Sequence, residues 1–182
     1  MKTKIILLTL SLIVTGLASG QAQTEPASQI LDKAYKQAAK EKKNVLVVFH
    51  ASWCGWCKKF EASINDSTCR DYFTKSYVIC YLDILETKKK ELENPGAEEI
   101  YNQNGGKEAG GIPYFLIFDR KGKLLADSKM KTGPDPNAKL TNIGCPVSVE
   151  EVAAFVEILK KTSKINDKEI AAVTERFRKN KS

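Results

Sequence analysis

Two cysteines decide what chemistry this chain can do. Cys54 and Cys57 are separated by Gly55 and Trp56, and the motif Trp53-Cys54-Gly55-Trp56-Cys57-Lys58 follows an apolar strand and opens a helix. That placement brings two thiols close enough to bond. The first sits at the helix N-terminus, where free N–H groups and the positive end of the helix dipole favour a thiolate. A thiolate is the species that attacks a disulfide, so Cys54 is the expected nucleophile. Cys57 lies one turn further in, shielded, and is expected to resolve the mixed disulfide. Other readings of the pair stay open. A structural disulfide has little purpose at a helix start in a chain of 182 residues, which can build a core without staples. Half a zinc site lacks its other half, because there is no second C-x-x-C and His50 is the one histidine. A soft-metal carrier would want more thioethers than Met130 supplies.

The elements that must hold this pair can be read from periodicity. Apolar residues from Ile30 to Ala39 recur at helical spacing, and Pro26 suits the first helical position. The run 44–50, Asn-Val-Leu-Val-Val-Phe-His, has strand length and no polar alternation, so it reads as a central strand buried on both faces. A helix is expected from about Cys54 to Asn65, a short one over 67–74, a strand over 77–84 and a helix near 97–104. Strands over 114–118 and 123–126 flank the turn Asp119-Arg120-Lys121-Gly122. Residues 128–146, with three prolines and two glycines, read as a long loop. Ser148-Val149-Glu150-Glu151 is a capping box opening a helix to about 161, and Asn166 opens another. Strand–helix–strand followed by a hairpin and a helix predicts an α/β fold: a mixed central sheet flanked by helices on both faces.

The stretch from Val45 to Leu125 resembles the thioredoxin family. The motif at 53–58 is similar to the family's active site, and Gly111-Ile112-Pro113 before an apolar strand is similar to its cis-proline loop, with Pro113 following 56 residues after Cys57. The likeness is greatest to secreted bacterial thioredoxin-like proteins and to the C-terminal thioredoxin domain of transmembrane disulfide reductases, which share C-x-x-C-K-x-F-E, here Cys54 to Glu61. The resemblance implies a thioredoxin-like fold and an enzyme that exchanges its dithiol with disulfides of exported proteins. The direction it implies is reduction, with a membrane-bound electron donor and no cofactor or metal. Ile112 and Pro113 would dock a substrate strand beside the cysteines, and Trp53 and Trp56 would shape that face. The rival reading is a non-catalytic module that uses the fold's groove for a peptide or a soft metal.

The sequence also departs from the pattern. Val48 stands where many members carry a buried carboxylate. The acid expected to take the proton from Cys57 is therefore Glu61, four residues on along the helix, which would serve if partly buried and would not if turned to solvent beside Lys58, with His50 as the alternative. Of the remaining cysteines, Cys80 and Cys69 read as core residues. Cys145 sits in a loop, where a free thiol would be open to oxidants, and a structural or inert role for all three stays open beside that.

The first residues read as a targeting segment. Lys2 and Lys4 precede the apolar run 5–17, and small residues follow, so residues 1–22 are expected to be a cleaved signal peptide. The run is short for a membrane span, and no stable insertion is expected after cleavage. Residues 23–182 then form one domain with an N-terminal helix, an insertion near 85–110 and an extra C-terminal helix, located in the periplasm or secreted. Cleavage removes two lysines and no acid, lowering the net charge from +7 to +5. The remaining lysines are interspersed with acids, which argues against nucleic acid as a partner.

Overall fold

The computed structural model describes residues 24–133, 135 and 138–181; the expected signal peptide lies outside them. Strand β1 (Asn44–His50) runs parallel to β2 (Tyr77–Asp83) and antiparallel to β3 (Tyr114–Phe118), which pairs antiparallel with β4 (Leu124–Asp127). The order across the mixed sheet is β2-β1-β3-β4. Alternate side chains feed two cores, one on each face. Leu46, Val48, Phe115 and Ile117 pack under α2 (Gly55–Ile64), α3 (Arg70–Ser76), α6 (Val149–Thr162) and α7 (Asp167–Arg178). Val45, Val47, Phe49, Tyr114 and Leu116 pack under α1 (Ala27–Glu41) and α4 (Ala97–Gln103). The absence of polar alternation in β1 has this cause: both of its faces are covered by helices.

Phe60 fastens α2 to this frame. It is fully buried and stacks on Phe115 of β3 at 5.8 Å, while Phe155 and Phe177 meet it edge-on at 6.0 and 5.8 Å. Burying a ring of this size contributes roughly 1.5–3 kcal/mol. The two C-terminal helices begin at complete capping boxes, Ser148 with Glu151 and Asn166 with Glu169, as the sequence pattern suggests.

The segment 128–146, expected to be irregular, contains a small hairpin of its own, β5 (Lys129–Lys131) with β6 (Leu140–Asn142). Three-residue strands carry too little periodicity to stand out in a sequence. The hairpin matters through Asn142. Its amide oxygen accepts from Ser128 Oγ at 2.8 Å and Gly144 N at 3.0 Å. Its amide nitrogen donates to the carbonyls of Gly111 at 3.0 Å and Pro113 at 2.9 Å. Ser128, fully buried, in turn accepts from Phe115 N. One side chain thus ties the loop before β3 to the hairpin. We expect Asn142→Ala to lower stability by about 2–3 kcal/mol, since it leaves several partly buried polar groups without partners. Denaturant midpoints would measure this, and a loss under about 0.5 kcal/mol would mean that the clamp holds nothing.

Candidate functional site

Strand β1 delivers the chain directly to the cysteines. Past His50, Ala51 is buried, and its carbonyl accepts from Cys54 N at 3.0 Å, turning the chain into α2. Cys54 is the N-cap, and its sulfur receives the Cys57 N–H at 3.1 Å. The two sulfurs form a disulfide with the Cα atoms 5.3 Å apart. The Ile112–Pro113 bond is cis, and the Ile112 carbonyl oxygen lies 3.6 Å from Cys54 Sγ. Gly110 and Gly111, at φ +83° and +81°, take the chain into that loop through backbone angles that side chains resist. The cysteine pair, Ile112 and Pro113 therefore meet, with Trp53 and Trp56 exposed around them at 51% and 42%.

Two expectations need correction. The exposure contrast between the cysteines is absent in the disulfide form: each is 4% exposed, because Ala51 backs the pair and Ile112 packs over it. The asymmetry lies in hydrogen bonding, for it is Cys54 Sγ that receives an N–H. Glu61 is exposed rather than partly buried. The buried face of α2 runs through Cys57, Phe60, Ser63 and Ile64. At about 100° per residue, Glu61 falls about 40° beyond Cys57, on the side away from Phe60 and Ser63.

The acids that are drawn in come from β2 and the stretch after it. Glu86, 2% exposed, accepts from both Ser52 N and Ser52 Oγ, while Trp53 Nε1 donates to the Leu85 carbonyl at 2.9 Å. Residues 85–86 therefore hold the loop that carries Cys54. His50 places Nε2 3.4 Å from Asp83 Oδ1, its register partner. Burial raises the Asp83 carboxyl above the usual range; His50 pulls it back and Glu86 adds to the rise. Glu86, Ser52 and Asn142 escaped the sequence reading because no spacing rule links residues 29 to 34 positions apart. Among the described residues, no group of three or more His, Cys, Asp or Glu is placed to hold a metal ion.

Cys69, Cys80 and Cys145 are free and buried. For Cys145 this favours the inert reading over the open loop thiol: α7 closes over it, and Asn180 Nδ2 donates to its sulfur at 3.4 Å and to Ser63 Oγ at 2.7 Å. Burial pushes the Cys80 and Cys145 thiols up to about 12 and raises Cys69 as well. With Cys54–Cys57 oxidised, the native protein should show no fast-reacting thiol toward an aromatic disulfide reagent at pH 8, and three after unfolding. Because these folded values lie above the unfolded ones, their contribution to stability is complete below about pH 9 and is lost as pH rises toward 12. Denaturant midpoints between pH 8 and 11 should fall accordingly.

The chain is 31% identical over 129 residues to a protein disulfide-isomerase of Hordeum vulgare, covering 65% of this chain and 25% of that one. It is 24% identical over 120 residues to the thiol:disulfide interchange protein DsbD of Vibrio vulnificus (strain YJ016), covering 62% and 19%. The chain thus spans a quarter or less of the length of these relatives. Among solved structures, a DsbH oxidoreductase is similar at 20% identity over 91% of this chain and 96% of its own, with a TM-score of 0.41. The DsbD C-terminal domain of Neisseria meningitidis, in its oxidised form, is similar at 17% over 76% and 98%, with a TM-score of 0.42. Residues 31–143 match the thioredoxin-like domain family, and the chain belongs to it.

Proposed function

We propose that this protein is an exported thiol–disulfide oxidoreductase that reduces disulfides of exported proteins. The observation that carries the reading is the N-cap geometry: the Cys57 N–H points at Cys54 Sγ from 3.1 Å, a donor aimed at the atom that becomes anionic on reduction. In the dithiol form, Cys54 thiolate attacks one sulfur of the substrate disulfide. A mixed disulfide forms and the first substrate thiolate leaves, taking a proton from water. Cys57 then loses its proton and attacks Cys54 Sγ. The second substrate thiolate departs, and the enzyme is left in the disulfide form described above. A membrane-bound dithiol donor of the kind used by transmembrane disulfide reductases would return two electrons. Glu61, the one acid on α2, is assigned as acceptor of the Cys57 proton through water.

Residues 1–22 serve export in this reading, and the mature chain should begin at residue 21 or 23 when its N-terminus is sequenced. Residues 23–182 are the working unit, with the turn and helices near 85–110 as an insertion and α7 as an added C-terminal helix.

Single-turnover kinetics test the mechanism. Cys54→Ser should abolish reduction of a protein disulfide, and Cys57→Ser should accumulate mixed disulfides. Equal trapping by both variants would mean that the attacking cysteine is misassigned. Glu61→Gln should slow the second step about tenfold and spare the first, less than the 10²–10⁴-fold of a directly positioned base, because the carboxylate is exposed. An unchanged second step would pass its role to water or His50. A reduction potential near roughly −270 mV would support the reducing direction, and one near about −120 mV would reverse it. A peptide-binding module without catalysis would reduce nothing in the first assay.

A further inference from the structure

A groove of about 480 Å³ runs from Trp56 and Pro113 to the start of α6 and the end of α7. Its near wall is apolar. The charged side chains lining it are Glu151, Arg178 and Lys181, and they are not equally available. Glu151 Oε2 already accepts from Val147 N and Ser148 N, both at 2.9 Å, within its capping box. Arg178 gives one N–H to the Val147 carbonyl at 2.6 Å, which leaves guanidinium donors over. Lys181 is exposed and lends its backbone carbonyl to Lys59 Nζ at 3.1 Å. Lys59 Nζ itself lies 4.3 Å over the exposed Trp56 ring. Among the described residues, none of these three cations makes an ion pair with a carboxylate. Three unneutralised cations thus border a groove whose one carboxylate is engaged by backbone amides.

We propose that this groove selects substrate polypeptides whose disulfide is flanked by acidic residues. An extended chain passing Pro113 would lay Asp or Glu side chains against Arg178, Lys181 and Lys59, while a basic flank would meet like charge. Discrimination of this kind acts on encounter and on KM, and weakens with salt. It rests on the thiol–disulfide exchange proposed above.

The test uses the full chain in its dithiol form and two disulfide-bonded peptides of equal length, one with Glu and one with Lys flanking each cysteine. At low salt the acidic peptide should be reduced with a kcat/KM about tenfold higher. The ratio should shrink below about twofold in 0.5 M salt, since exposed pairs are weak and screened. Lys181→Glu and Lys59→Gln should each cut the acidic preference about threefold through KM. Lys40→Glu, at the end of α1 beside the start of β1 and thus at the opposite end of the sheet, makes the same charge change as Lys181→Glu and should leave the preference intact. Equal reduction of both peptides would overturn the groove assignment and leave the redox reading standing. An equal loss in Lys40→Glu would reduce the effect to bulk charge and overturn it too. Reduction of neither peptide would remove the redox reading and this inference with it.

Discussion

The N–H of Cys57 aimed at Cys54 Sγ is the interaction on which the arrangement depends. It exists because α2 begins at Cys54, and α2 begins there because β1 ends at His50 and the Cys54 N–H to Ala51 carbonyl bond turns the chain at once. Shift that start by one residue and the donor would face no sulfur. The remaining structure keeps the start in place. Phe60 fixes α2 in rotation by sitting between Phe115, Phe155 and Phe177. Glu86 fixes the approach by taking both polar hydrogens of Ser52. Asn142 fixes the facing loop through two carbonyls.

These devices differ in how they could be read beforehand. Strand β1, helix α2 and the capping box at Ser148 are local: their signals lie within a few residues, so hydrophobic runs and cap spacing reveal them. The pairing of the C-x-x-C with Pro113 was legible through family likeness, a longer-range signal that residue types alone do not carry. The clamps were not legible. Glu86 reads as one more acid beside a lysine run, and Asn142 as one more polar residue in a proline-rich loop. What makes each a fixed support is a partner 29 to 34 positions away. Glu61 shows the converse failure. Spacing placed it near Cys57 correctly in sequence, but a helix buries an arc, and Glu61 falls just outside that arc, where water competes for its carboxylate.

The free cysteines follow the same physics. Cys145 lies in a loop by sequence, yet Asn180 and α7 cover it, so the environment that would make it reactive is missing. Burial pushes its thiol up to about 12, so it stays protonated near neutral pH.

The boundary between the cysteine site and the far wall of the groove runs close to residue 143. The family match ends there, and within it lie the disulfide, the Ile112–Pro113 loop and the Ser52–Glu86 contact. Beyond it come Gly144 to Lys181, which supply the far wall of the groove, two capped helices and the cations Arg178 and Lys181. Helix α7 does two things at once. Its inner face carries Val173 and Phe177 into the core under α2, and Arg176 pairs with Asp66 at 2.8 Å just past the end of α2. Its C-terminal turn, held by that packing, sets Arg178 beside the groove. A charge placed on a mobile tail would be averaged over many positions and screened. Anchoring α7 through Phe177 turns the same charge into a fixed feature of the groove wall.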